Sequence, residues 1–180
     1  MRIIAGSAKR RTIIGPKGLG TRPMTDRARE ALFSALGPRV SSARVLDLYA
    51  GSGSLGLEAL SRGARSAVFV EQDREALMAL RRNVATVGLG GEVVRGDAGR
   101  YLDRCGLNFD LVFVDPPYAL SLASVQEVLS KLEPLLYAAA TVVVHRRVGE
   151  DPPVGPDGLN LVGERTYGDS RLWTFRKEET

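Results

Sequence analysis

The chain has 180 residues, of which 44% are hydrophobic and 26% are charged, a balance typical of one soluble globular domain. No apolar run approaches the roughly 20 residues that cross a bilayer, and the first residues lack the apolar stretch of a secretory signal, so we expect a cytoplasmic protein. A single cysteine, Cys105, excludes an internal disulfide. Because there is also only one histidine, His145, we expect no metal site.

The amino-terminal region is the most basic part of the chain. The net charge is +4, and eight basic residues stand against one acidic residue between Met1 and Arg29. Short apolar pairs alternate here with glycine-rich stretches, which predicts a basic arm or hairpin over residues 1–24, followed by a single domain over residues 25–180. Clustered positive charge favours a polyanion such as RNA or DNA, the alternative being a solvated arm without a ligand. The candidate RNA-binding residues are Lys9, Arg10, Arg11, Arg22 and Arg29.

After this region the pattern alternates between apolar strands and amphipathic helices. Thr25 is expected to cap a first helix that ends before Pro38. The predicted strands are Val45–Tyr49, Ala67–Val70, Glu92–Arg95, Leu111–Val114 and Thr141–Val144, and the predicted helices are Leu55–Ser61, Arg74–Val87, Ala98–Arg104 and Ser124–Leu136. Two last strands, Asn160–Val162 and Arg171–Phe175, are expected to close the sheet as an antiparallel pair. Uniformly apolar strands are typical of a sheet covered on both faces, so the predicted fold class is α/β, doubly wound and Rossmann-like.

A glycine loop joins the first predicted strand to the helix after it. Gly51, Gly53 and Gly56 match G-x-G-x-x-G, and Glu71 lies twenty residues after Gly51 at the end of the next strand. This is the fingerprint of a dinucleotide site, in which small residues let the backbone approach a nucleoside and the acid accepts hydrogen bonds from ribose hydroxyls. The loop alone does not distinguish NAD from S-adenosylmethionine, because both carry an adenosine.

Two further acids favour S-adenosylmethionine. Asp47 lies in the first strand, where its carboxylate can face the cationic amino group of a methionine tail and would repel a pyrophosphate. Asp97 ends the third strand, where it can accept a hydrogen bond from an adenine amino group. Together with Glu71 these acids converge on the crevice at the carboxyl ends of the strands. The candidate cofactor-binding residues are Asp47, Tyr49, Ala50, Gly51, Ser52, Gly53, Glu71, Gln72, Asp97 and Ala98.

The fourth predicted strand ends in the sequence Asp115-Pro116-Pro117-Tyr118, and these four are the candidate catalytic residues. Successive prolines make a stiff turn without backbone donors, so that Asp115 and the Pro116 carbonyl can accept both hydrogens of a planar amine. Tyr118 offers a ring on which a heterocycle can stack. Holding both amine hydrogens directs the nitrogen lone pair toward an incoming methyl group, and the catalysis then depends on proximity and electrostatics. The segment predicts methyl transfer to an amino nitrogen.

These motifs are those of the class I methyltransferases with an Asp/Asn-Pro-Pro-Tyr/Phe motif. The stretches Arg2–Gly6, Arg22–Phe33, Asp47–Ala64 and Tyr167–Leu172 more closely resemble the bacterial 16S ribosomal RNA guanine-N2 methyltransferases that modify guanine 966. The resemblance implies a seven-stranded methyltransferase sheet, S-adenosylmethionine as cofactor, 16S ribosomal RNA of the small subunit as substrate and monomeric action. It also implies that Arg22–Glu30 borders the cofactor or the RNA. Met24 and His145 depart from the family pattern, which has a threonine and an acid there.

Three other functions remain open from the residues. A DNA adenine-N6 methyltransferase shares the motif, but 180 residues leave little room for a separate target-recognition domain. An NAD-dependent oxidoreductase fits the glycine loop but not the Asp115–Tyr118 segment, and an RNA-binding module without catalysis would not need Asp115 or Glu71. Four remaining residues are given structural roles. His145 is expected to be a hydrogen-bonded structural residue, Cys105 inert packing on a helix, and Trp173 and Phe175 sheet packing.

Overall fold

A computed structural model describes residues 1–15 and 24–179. The described chain folds around one sheet with the strand order β3-β2-β1-β4-β5-β7-β6. The strands are β1 (Arg44–Leu48), β2 (Ser66–Glu71), β3 (Glu92–Arg95), β4 (Phe109–Val114), β5 (Leu136–Arg147), β6 (Leu159–Tyr167) and β7 (Ser170–Lys177). The first five run parallel, and β7 is antiparallel to both β5 and β6. The predicted doubly wound α/β fold with a closing antiparallel pair is confirmed.

Helices cover both faces of this sheet. They are α1 (Asp26–Leu36), α2 (Ser54–Ser61), α3 (Arg74–Val87), α4 (Ala98–Leu102) and α5 (Leu122–Leu132), with short 3-10 turns at Gly37–Val40 and Glu133–Leu135. Thr25 caps α1 as predicted, since its side chain accepts a hydrogen bond from the Ala28 N–H. Successive strand residues such as Val45 and Leu46 enter two separate hydrophobic clusters, because neighbouring side chains in a strand point to opposite faces. The strands are therefore apolar throughout.

Residues 1–15 form a hairpin that packs into the first of these clusters. Ile3 and Ile13 are buried, and an isolated antiparallel bridge joins Arg2 to Thr12. The buried Glu58 on α2 accepts hydrogen bonds from the N–H groups of Ile4 and Ala5, at 2.7 and 3.1 Å. A side chain at position 6 would overlap the backbone of Ser61, so Gly6 allows the hairpin to lie directly against the end of α2. The hairpin is therefore part of the core rather than a detached arm.

Several helix and strand boundaries in the structure differ from the predicted ones. The predicted helix Ser124–Leu136 ends at Leu132, because Pro134 lacks an N–H and the chain turns there into β5. The strand predicted over Asn160–Val162 extends to Tyr167. The prediction was too short because an exposed edge strand contains many polar residues and has no continuous apolar pattern. Cys105 lies in the loop after α4 rather than on a helix, and contacts the second hydrophobic cluster. The packing role of Trp173 and Phe175 is confirmed, since both are fully buried in that cluster.

Candidate active site

The carboxyl ends of the parallel strands meet at one edge of the sheet. Leu48, the last residue of β1, pairs with Val70 on one side and with Val114 on the other. The loops that leave these strands also bond to one another: the Ala50 N–H donates to the Val70 carbonyl at 3.0 Å, and the Asp115 N–H to the Leu48 carbonyl at 3.4 Å. The glycine loop and the Asp115 segment are thus neighbours in the crevice where such sheets bind ligands.

The glycine loop makes a tight turn between β1 and α2. Tyr49, Gly51 and Gly53 have φ angles of +60°, +55° and +78°. A Cβ atom on Gly53 would lie 2.5 Å from Leu80, and one on Gly56 would lie 2.4 Å from the Phe69 ring. These two glycines let α2 approach the sheet closely, whereas the space beside Gly51 is open. The turn therefore leaves room for a ligand against its own backbone.

Glu71, at the end of β2, fixes the shape of that loop. Its Oε2 accepts the Gly51 N–H at 2.8 Å, and its Oε1 accepts the N–H groups of Gln72 and Asp73, both at 2.8 Å. A carboxylate has about four acceptor positions, so one of them remains on Oε2 beside the loop. A ribose hydroxyl suits that position, and the residues present therefore fit a nucleoside cofactor.

Asp47 lies deeper than the sequence suggested. Its side chain is 1% exposed, and its Oδ2 accepts the Gly56 N–H at the start of α2 at 2.9 Å. Burial raises the pKa of Asp47 well above its ordinary value, the Gly56 hydrogen bond lowers it in part, and the charges of Asp115 and Glu71 raise it further. Asp47 therefore stabilises the end of the glycine loop through its hydrogen bond with Gly56, and its role toward a methionine amino group stays a prediction.

The other predicted cofactor residues line the same edge. Asp97 is exposed and caps α4, since its carboxylate accepts the Arg100 N–H at 3.0 Å. Ala98 and Ser52 are buried and Gln72 is exposed. Burial, followed by the charge of Asp97, raises the pKa of Tyr49 to about 12, so that its hydroxyl stays protonated and can donate a hydrogen bond at neutral pH.

His145 at the end of β5 holds the Asp115 carboxylate. The His145 Nδ1 lies 2.7 Å from the Asp115 Oδ1, the histidine side chain is 3% exposed and that of Asp115 is 32% exposed. One oxygen of the carboxylate is thus fixed by a buried side chain, while the Asp115 side chain as a whole stays partly exposed. The Tyr118 ring stands edge-on to the imidazole, with 6.3 Å between the ring centroids. The predicted hydrogen-bonded role of His145 agrees with this contact.

Arg146, which belongs to none of the sequence motifs, fixes the rest of the catalytic segment. Its buried guanidinium donates to the Pro117, Tyr118 and Leu120 carbonyls at 3.0, 3.3 and 2.7 Å. Its Nε pairs with Glu150 at 2.7 Å. Among hydrogen bonds within residues 1–15 and 24–179, none ends on the carbonyl of Pro116, which is itself buried. The only sequence signal for Arg146 was its position as a charged residue two places after the predicted apolar strand Thr141–Val144.

The candidate RNA-binding residues divide into three groups. Lys9 and Arg10 are exposed on the hairpin, and Arg11 is exposed but donates to the Val87 carbonyl at the end of α3. The predicted RNA-binding role of Arg29 is corrected. Its side chain is fully buried, donates a hydrogen bond to the Arg2 carbonyl and pairs with Asp26 at 3.0 Å, so it offers no surface to RNA. Arg22 lies outside the described residues.

Metal ligands and membrane-spanning helices are not found in the part of the chain that the structure describes. Within residues 1–15 and 24–179, no group of three or more His, Cys, Asp or Glu side chains could hold a metal ion. No helix among those residues is both long and apolar enough to span a bilayer.

The glycine loop lies beside the Asp115–Tyr118 segment on a sheet of this order, and the proteins that the chain resembles are methyltransferases. These findings define the class: the protein is an S-adenosylmethionine-dependent methyltransferase. The model of the family described as conserved hypothetical protein 95 matches residues 1–176. The ribosomal RNA small subunit methyltransferase D of Escherichia coli K12 is 38% identical over 99% of this chain and 90% of its own length. The putative rRNA methyltransferase YlbH of Bacillus subtilis is 36% identical over 98% of this chain and 99% of its own length.

A solved structure gives the same result. The putative methyltransferase yhhF from Escherichia coli has a TM-score of 0.88 and 38% identity, and the match covers 100% of this chain and 99% of that one. The chain therefore belongs to the family described as conserved hypothetical protein 95.

Proposed function

We propose that this chain methylates the exocyclic N2 of a guanine in 16S ribosomal RNA, guanine 966 by family resemblance. The observation that carries the proposal is the partly exposed Asp115 carboxylate, held by His145 beside the glycine loop. The relatives from Escherichia coli and Bacillus subtilis are named as ribosomal RNA methyltransferases, which favours RNA over the DNA-adenine alternative. The same names are those of methyltransferases, which removes the ground for an NAD-dependent oxidoreductase.

The chemistry that the segment must perform is the activation of a weak nucleophile. The lone pair of an exocyclic amine is delocalised into the ring, so the nitrogen must be oriented before it attacks. The free oxygen of Asp115 and the Pro116 carbonyl accept the two N–H hydrogens, and the negative carboxylate stabilises the positive charge that develops on nitrogen. When bound, S-adenosylmethionine would supply the electrophilic methyl group, and its sulfur would leave as the neutral thioether of S-adenosylhomocysteine as the S–CH3 bond breaks. After the N–C bond has formed, the extra proton on nitrogen leaves to Asp115 or to water.

RNA binding by the hairpin belongs to the same proposal. Lys9 and Arg10 carry exposed positive charge and Arg11 lies next to them, whereas the buried Ile3 and Ile13 fix the hairpin on the domain. We infer that Lys9 and Arg10 contact phosphates. Neutralising both should flatten the slope of log affinity against log salt by about 0.7–0.9 for each phosphate that is no longer bound.

The test uses small ribosomal subunits, and separately their naked RNA, from cells that lack the protein. Wild-type protein and labelled cofactor should produce N2-methylguanine, mapped by nuclease digestion and mass spectrometry. Asp115→Ala should keep its cofactor affinity and lose most of its single-turnover rate, while Asp157→Ala, an exposed acid at the opposite edge of the sheet, should retain both. Methyladenine in a DNA substrate, or a near-wild-type rate for Asp115→Ala, would refute the assignment.

A further inference from the structure

A second cavity opens beside the catalytic segment. It has a volume of about 740 Å³ and lies between the start of α1, the loop after β4, the end of β5 and the β6–β7 turn. Tyr118 belongs to its wall, so the cavity is continuous with the site for the target amine. None of the glycine-loop residues lines it, and it is therefore separate from the cofactor pocket. We call it the α1 cleft.

The α1 cleft combines two aromatic rings with two arginines. Tyr167, the last residue of β6, is half-buried, and its side chain packs on the hydrophobic core. Arg27 in the first turn of α1 is exposed, and the exposed Arg147 places its guanidinium 5.1 Å from the centroid of the Tyr118 ring. Asp169 is the opposing charge in the wall, so the charged side chains that line the cleft sum to one positive charge.

We propose that the α1 cleft binds the single-stranded RNA nucleotides next to the target guanine, with a base on Tyr167 and phosphates at Arg27 and Arg147. The inference rests on the proposed function and names the path of its substrate. Aromatic rings and arginines together suit unpaired RNA, because its bases stack on the rings and its phosphates pair with the arginine cations. The volume lies within the range of about 300–1,000 Å³ found for ligand sites.

The shape of the site supports this occupant. The target guanine must leave its stack to place its amine at Asp115, so its two neighbours are pulled toward the mouth of the crevice. The α1 cleft lies on the Tyr118 side of that mouth. Two stretches of the chain supply most of its wall: Thr25, Arg27 and Ala28 at the start of α1, and Thr166–Ser170 around the β6–β7 turn. A role in holding the flanking RNA gives both stretches a function.

The test combines crosslinking with matched variants. A fragment of small-subunit RNA around the target guanine, with 4-thiouridine on either side of it, should crosslink to the peptide that contains Tyr167. The double variant R27A/R147A should raise the KM for RNA at least tenfold and flatten the salt slope by about 0.7 for each phosphate that is no longer bound, with unchanged cofactor affinity. The control is R39A/R165A, which removes two exposed arginines from a smaller cavity of about 210 Å³ at the other end of α1.

Stacking is tested separately at Tyr167. Y167L keeps an apolar side chain against the core and should weaken RNA binding about 5-fold to 150-fold, the range for removal of one base–aromatic stack, whereas Y167F should bind like the wild type. An unchanged KM and salt slope in R27A/R147A, an equal effect of the control pair, or crosslinks that map only to the hairpin would overturn the proposal.

The two proposals fail in different ways. If the wild-type protein does not methylate guanine N2 but R27A/R147A still loses RNA affinity, the proposed function is wrong and the α1 cleft remains an RNA-binding surface. If the wild-type protein methylates guanine N2 and the cleft variants behave like the control, the cleft inference is wrong. A wild-type dimer in sedimentation that R27A/R147A dissociates would assign the cleft to a second copy of the chain and overturn the inference as well.

Discussion

Arg146→Lys tests whether one buried guanidinium sets the geometry of the catalytic segment. The arginine donates to the Pro117, Tyr118 and Leu120 carbonyls, and a lysine ammonium can reach one of the three, so two hydrogen bonds are removed. At about 1.5–3 kcal/mol for each hydrogen bond to a charged group, the loss amounts to about 3–6 kcal/mol. Water can replace part of it, because Tyr118 and Leu120 are half-exposed, and we expect about 3 kcal/mol.

The effect should fall on turnover rather than on cofactor binding. If about 3 kcal/mol is lost from the catalytic conformation of the loop, the single-turnover rate falls about 100-fold, since each 1.36 kcal/mol is a factor of ten. Single-turnover methylation, calorimetry with the cofactor and denaturant unfolding would be measured in parallel. Arg44→Lys is the control, because Arg44 lies at the opposite edge of the sheet beside Tyr137. A folded Arg146→Lys protein with a turnover within twofold of the wild type would refute the reasoning.

Substitutions at three further residues test the crevice. Glu71→Ala should weaken cofactor binding by about 1.5–3 kcal/mol in calorimetry, and an unchanged affinity would move the ribose contact elsewhere. His145→Leu should lower kcat without changing cofactor affinity, and His145→Asn should restore part of it because an amide N–H can reach Asp115; equal losses would contradict a positioning role. Burial raises the pKa of Asp47, so its contribution to stability is complete below the unfolded value of about 3.9 and is lost as pH rises through the folded value. Asp47→Asn does not titrate and should therefore gain stability relative to the wild type as the pH rises above about 4, and a stability difference independent of pH would contradict this.

The sheet and the glycine loop could be predicted because their signals are local. A buried parallel strand is apolar over its whole length, and a loop that needs positive φ angles shows its glycines in the sequence. The end of α5 was misplaced, although Pro134 marks it, because the apolar pattern continues through Leu135 and Leu136 into β5. The extent of β6 was missed because an exposed edge strand carries no continuous apolar pattern.

Long-range partners of polar residues could not be predicted. The sequence suggests that Arg29 is a surface charge, yet its side chain is buried. It lies on α1 and donates a hydrogen bond to the carbonyl of Arg2, which belongs to the hairpin. Arg146 and Glu58 were missed for the same reason, since each satisfies backbone groups on a segment far away in the chain. The charge of the amino-terminal region also gave no sign that Ile3 and Ile13 are buried against the domain. Only the folded chain shows these pairings.

Asn83 on α3 joins the hairpin to the cofactor loop. Its side-chain amide exchanges two hydrogen bonds with the backbone of Ile14, at 2.9 and 2.8 Å, and donates a third to the Ser52 carbonyl at 2.9 Å. Docking of the hairpin and ordering of the glycine loop therefore share one buried group, and the two events are thermodynamically linked. A ligand that orders the loop must by reciprocity hold the amino-terminal segment more tightly, so that amide hydrogens near Ile14 exchange more slowly when the cofactor is bound.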